Sequence, residues 1–150
     1  ELSDRPGYSP EYHDPAFMKL VEECCCDLVG EDRVKFDYQS WSTGSSDFGD
    51  ITCVMPGVQF FAAGAVGTGH GIDYFIKDPN RMCVNAVKAQ LFVADALLRD
   101  DAAAARKIIA DYQPQYPSIR AYLDAINELI LDKDAVRYDE NGNAVVDFKN

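Results

Sequence analysis

Seven of the ten glycines in this 150-residue chain fall between residues 44 and 71: Gly44, Gly49, Gly57, Gly64, Gly67, Gly69 and Gly71. Glycine gives up more conformational freedom on folding than any other residue. A cluster this dense therefore marks backbone that must turn sharply or approach a ligand closely. Inside it lies one apolar run, Val58-Gln59-Phe60-Phe61-Ala62-Ala63, short and aromatic enough to predict a buried strand. The run is bracketed by two turn-rich loops, residues 42–50 and 64–71, and function is expected there.

The flanking segments read as helices and short strands. Asp14-Pro15 is an N-cap followed by proline at the first helical position. Phe17, Leu20, Val21, Cys24 and Leu28 then make one apolar stripe that ends at Gly30. Val34 to Tyr38 alternates as a half-buried strand does. Asp78-Pro79 opens a second helix that is apolar on most sides, and Asp100-Asp101 is expected to cap an alanine-rich helix reaching Asp111. A further helical pattern runs from Pro117 to Ile130, and Asn141-Gly142 between alternating runs predicts a C-terminal hairpin. The length corresponds to about one domain. Residues 1–13 read as an incoming connector. Glu1-Leu2-Ser3-Asp4-Arg5-Pro6, neither a start methionine nor a signal peptide, suggests a piece of something larger.

Charge and cysteine usage narrow the partners. The formal charge of −11 opposes polyphosphate and anionic lipid, so neither nucleic acid nor membrane is an expected partner. No apolar run approaches the roughly 18 residues of a membrane span. Five cysteines, Cys24, Cys25, Cys26, Cys53 and Cys83, show no C-x-x-C spacing. Three consecutive thiols on a helix point about 100° apart and cannot converge on one metal, which leaves small structural thiols in a reducing cytoplasm.

The loops offer three chemistries. Nucleotide binding fails on spacing: Ile72 replaces the third glycine of G-x-G-x-x-G, and His70 stands where a P-loop needs lysine. His70, between two glycines, is either a surface-loop histidine or a metal or catalytic group, with Asp73 three residues on as an orienting acceptor. Ser45-Ser46-Asp47 before Phe48 suits an N-cap, and equally an anion site at a helix start. His13, among the connector residues, reads as solvated.

Taken in succession, Gly44-Ser45-Ser46-Asp47-Phe48-Gly49-Asp50-Ile51-Thr52, Met55-Pro56-Gly57-Val58, Gly67-Thr68-Gly69-His70-Gly71 and Lys77-Asp78-Pro79 with a long helix resemble the C-terminal part of the M20 metallopeptidase and amidohydrolase family, in its aminoacylase-like or aminobenzoyl-glutamate-hydrolase-like branches. The likeness covers roughly residues 14–110. It implies an α/β fold: part of a three-layer α/β/α zinc-peptidase-like catalytic domain lacking its N-terminal half and lid. On that division residues 1–13 connect from the lid, 14–111 belong to the catalytic domain, and 112–150 form a helical extension with a short hairpin. It also implies two divalent metals, usually zinc, and hydrolysis of the amide bond of N-acyl amino acids or small peptides by a metal-activated water.

On this sequence the resemblance places a metal ligand at His70, a supporting acid at Asp73, and substrate-lining residues at Ser45, Ser46, Asp47, Thr68 and Gly69. The remaining ligands and a glutamate base are missing, since Glu22-Glu23, the one Glu-Glu pair, lies on the polar side of the first helix. The chain alone is therefore expected to be inactive and to bind metal weakly. The alternatives are a free-standing, non-catalytic domain that binds a ligand or partner through the same loops, or an unrelated small α/β protein. A truncated domain would leave the helix at 80–98 with an uncovered apolar face, so a homo-oligomer is expected.

Overall fold

The structure is a computed structural model that describes residues 2–36 and 46–146. Ser45, the Asp37-Tyr38 end of the expected first strand and the last four residues lie outside the described residues.

The first helix forms as its sequence dictates. The Asp14 carboxylate accepts the Phe17 N–H at 2.8 Å, Pro15 begins α1 (Pro15–Val29), and Gly30, at φ 91°, closes it with its N–H on the Cys26 carbonyl. The predicted stripe is the buried one. Val21 and Cys24 of α1 meet Val93 of a later helix, with Phe17, Leu20, Phe36, Val58, Phe60 and Leu97 packed around them. Each fully buried aliphatic side chain here contributes about 1.5–3 kcal/mol. Burial also pushes the Cys24, Cys25 and Cys26 thiols up from their ordinary range, and the acids around Cys24 and Cys26 add to this, which suits packing better than nucleophilic chemistry.

The short helix α2 (Phe48–Thr52) follows the serine-aspartate turn. A small antiparallel hairpin then pairs β2 (Ala65–Val66) with β3 (Phe75–Ile76) in the register Ala65 to Ile76 and Val66 to Phe75. Its base is pinned to the start of the long helix. The Gly64 carbonyl accepts the N–H groups of Lys77 and Asp78, and a Cβ at Gly64 would lie 2.6 Å from the Asp78 carbonyl oxygen. Asp78 caps the turn as expected by accepting the Arg81 N–H at 3.1 Å. One π-helical turn, Asn80–Val84, leads into α3 (Asn85–Asp111). Ser118 then caps α4 (Ile119–Glu128) through the Ala121 N–H. The chain ends in β4 (Leu131–Lys133), β5 (Val136–Tyr138) and β6 (Ala144–Val146).

Among the described residues, helices thus combine with three separate two-stranded antiparallel ladders. The α/β class holds at that coarse level. β4 pairs with β1 (Leu2–Asp4), where the Asp132 carboxylate accepts Ser3 Oγ and Arg5, so the first residues are built into the fold. β5 and β6 form the predicted hairpin. Its turn is held by the Asp139 carboxylate, which accepts the backbone N–H groups of Asn141 and Asn143, with Gly142 at φ 78°. No helix of the described residues is long and apolar enough to cross a membrane.

Four expectations are corrected. Among the described residues, 58–63 pair with no strand. Val58 and Phe60 bury one edge against the α1–α3 core while Phe61 is 87% exposed, so the run is an extended tether with an apolar side. Val34–Phe36 likewise forms no ladder with the described residues. Asp100 and Asp101 do not cap a helix. They sit at φ 53° and 58°, with Ala102 at 57°, in a left-handed turn that divides α3 into two helical pieces. The last helix starts at Ile119 rather than Pro117, because the Ser118 side chain supplies the cap.

The core is small for the chain. The exposed surface is 11423 Å², about half as much again as the roughly 7,600 Å² expected of a compact monomer of this mass. The left-handed turn yields a test. Each non-glycine residue there costs about 1–2 kcal/mol, of which glycine returns part to the flexibility of the unfolded chain. Ala102→Gly is expected to stabilise the protein by about 0.5–1 kcal/mol, read as a higher urea midpoint at unchanged slope. A lower midpoint would show that residue 102 is not left-handed.

Candidate functional site

Two loops hold the residues singled out by sequence. The hairpin loop, residues 67–74, is organised by Asp73. Its carboxylate accepts the Thr68 N–H at 3.1 Å and the Thr68 hydroxyl at 3.3 Å, while the Gly71 N–H reaches the Thr68 carbonyl at 2.7 Å. A Cβ at Gly67 (φ 99°) would collide with the Asp73 carbonyl at 2.2 Å, so this closure requires glycine there. Asp73 therefore braces the loop through Thr68, and among the described residues it makes no hydrogen bond to His70. His70 stands exposed at the loop's tip in the left-handed region, at φ 62°, and open space surrounds Gly69 beside it.

The second loop is anchored on its own neighbours. Ser46 Oγ accepts the Phe48 N–H at 3.3 Å and donates to Glu11 Oε1 at 2.5 Å, so Ser46 serves as the local cap. Asp47 is exposed and its side chain makes no capping bond. Gly49 is buried, and a Cβ there would sit 1.8 Å from the Ser9 carbonyl oxygen. The Ser9 N–H in turn donates to Asp50 at 2.8 Å.

This packing assembles a cluster around Glu11. Besides Ser46, the carboxylate contacts His13 Nε2 at 3.1 Å, and the Gln59 amide, turned so that its nitrogen faces Glu11, donates at 2.9 and 3.1 Å. The Phe48 ring lies edge-on to His13 with centroids 6.4 Å apart. Both Glu11 and His13 are half-buried. Because the carboxylate stands between hydroxyl and imidazole, the arrangement fixes both groups rather than letting the imidazole draw the serine proton. His13 is thus not the solvated connector residue expected of it. The signal available was Ser9, Glu11 and His13 at alternate positions of an extended segment, which places them on one side.

Buried groups tie this cluster to the C-terminal third. Thr52 Oγ1 accepts the Tyr12 N–H at 3.1 Å and donates to the Gly49 carbonyl at 3.0 Å, while the Tyr112 hydroxyl donates to the Thr52 carbonyl. Cys53, also buried, donates to Gln115 Oε1 at 3.0 Å. Burial, with Tyr12 and Cys53 nearby, raises the Tyr112 hydroxyl above its ordinary value.

Among the described residues, no hydrogen bond, ion pair or ring contact joins the 67–74 loop to the 46–50 turn. A cavity of about 540 Å³ lies under the hairpin's base, between Gly64, Val66, Lys77 and Arg81. A second, of about 360 Å³, is lined by Glu22, Glu23, Cys26, Asp27 and Glu31. His70 lines neither. No family model matches the chain, and no curated protein or solved structure matches it either.

Two substitutions test this geometry. Gly49→Ala is expected to cost about 3 kcal/mol or more, since backbone on both sides must move. Tyr112→Phe is expected to cost about 1–2 kcal/mol for the lost bond to a buried carbonyl. Because folding raises the Tyr112 pKa, its contribution is complete below pH 10.0 and is lost as pH climbs through the folded value. The Phe variant should therefore lose less stability than the parent between pH 9 and 11 in chemical denaturation. Equal alkaline slopes would contradict the assignment.

Proposed function

We propose that this chain is the C-terminal part of an M20-type metal-dependent amidohydrolase, in which His70 is a metal ligand and the Ser46-Asp47 turn, with Thr68 and Gly69, lines the substrate cleft. The substrate class is the N-acyl amino acid or small peptide, cut at its amide bond, and the metal is zinc. The finer fold belongs to the same proposal: part of a three-layer α/β/α catalytic domain. A cytoplasmic setting goes with it and fits the free thiols at Cys24, Cys25, Cys26, Cys53 and Cys83.

The observation that carries the reading is the His70 backbone. A left-handed residue flanked by glycines would cost least as glycine, and a larger side chain there costs about 1–2 kcal/mol. Strain kept at an exposed loop tip, with an imidazole as the residue kept, points to a use for the imidazole itself. Asp73 supports it by holding the loop closed through Thr68.

The described residues do not make a metal centre. Zinc takes three or four protein ligands, and no group of three His, Cys, Asp or Glu converges among the described residues. On this reading the other ligands and the general base come from polypeptide outside the 150 residues. The purified chain is then expected to leave N-acyl amino acids intact when zinc is supplied, and zinc titration followed by NMR should move the His70 ring signals only in the millimolar range. Hydrolysis abolished by chelator and by His70→Ala would overturn the single-ligand reading. A gene product whose sequence ahead of Glu1 lacks further histidine and acidic ligands would overturn the hydrolase reading.

A further inference from the structure

Helix α3 carries two apolar faces. One, through Val93, Ala96 and Leu97, packs on α1. The other, Val87, Leu91, Ala94 and Leu98, lies roughly 150° around the helix at 100° per residue. It is open to solvent, with Val87 56%, Leu91 63% and Leu98 67% exposed. Its 4-3-4 spacing is that of a coiled-coil seam rather than of scattered surface residues.

We propose that a second copy of this chain covers that face, the two α3 helices running antiparallel about a two-fold axis near residues 92 and 93. In that register Leu91 meets the partner's Ala94, large against small, and Val87 meets the partner's Leu98. Lys88 and Asp95 lie on one edge of the stripe, seven residues apart. The antiparallel arrangement faces this edge with the partner's same edge and sets each Lys88 beside the partner's Asp95, whereas a parallel one would face it with the opposite edge, where the uncharged Gln90 stands. Lys88 makes no ion pair among the described residues, and Asp95 reaches Arg99 of its own helix at 3.2 Å with its side chain largely exposed. The stripe is thus complementary to itself in both shape and charge, as an interface between identical copies must be. The proposal uses none of the residues of the hydrolase reading, and its test does not involve activity.

The test is light scattering on the purified 150-residue chain across a concentration series, with circular dichroism on every variant. A dimer is expected. Leu91→Asp should convert it to a monomer of unchanged helicity. Lys88→Asp should raise the dissociation constant about tenfold, because it opposes two acids at each edge. The exchange Lys88→Asp with Asp95→Lys should restore it. Should Leu91→Asp fail to fold, the two charge variants carry the test alone. A monomer at every concentration, an assembly that ignores Lys88→Asp, or an exchange that fails to restore dimerisation would each overturn the proposal.

Discussion

Thr52 is 1% exposed, and two stretches of chain far from it in sequence meet on it. The Tyr12 N–H reaches its hydroxyl, the Tyr112 hydroxyl reaches its carbonyl, and the same threonine hydroxyl closes the turn at Gly49. A buried polar group left without a partner costs about 1–3 kcal/mol, so each of these bonds depends on the others being made. With Cys53 on Gln115 and the Tyr116 N–H on the Cys53 carbonyl, the node joins the N-terminal segment, the glycine-rich loop and the C-terminal third. The Glu11 cluster exists because this node holds Ser9–His13 against the 46–52 turn.

Against that node the apolar core is modest. Val21, Cys24 and Val93 are its buried centre, while long stretches of aliphatic and aromatic surface stay in water. The Val58–Phe60 tether shows the same balance: one edge is buried, yet among the described residues no neighbouring strand takes up its backbone groups. Polar connections between distant segments therefore do much of what a larger core would do in a chain of this length.

Local chemistry was the legible part of the sequence. Asp14, Gly30 and Asp78 cap as their residue types require, and Asn141-Gly142 turns a hairpin, because each outcome is decided within a few residues. The site's glycines were legible as sharp turns and close approaches, and Gly49, Gly64 and Gly67 behave so. Illegible were features decided by distant partners. An apolar run becomes a strand only if another strand lies beside it, which the composition of Val58–Ala63 cannot say. The pair Asp100-Asp101 offers good capping side chains, yet the backbone there turns left-handed, with Arg106 holding the Asp101 carbonyl and carboxylate. Glu11 and His13 carried a weak alternation signal, whereas Ser46 reaches them only once the 46–52 turn packs on Ser9–His13 through Gly49, Asp50 and Thr52.

The bracing of the hairpin loop by Asp73 bears on rates as well as shape. A loop already closed on itself, through Thr68 and Gly71, loses little chain entropy when its tip is gripped. Whatever engages the imidazole at that tip meets it already presented, so encounter rather than rearrangement would set the speed of capture.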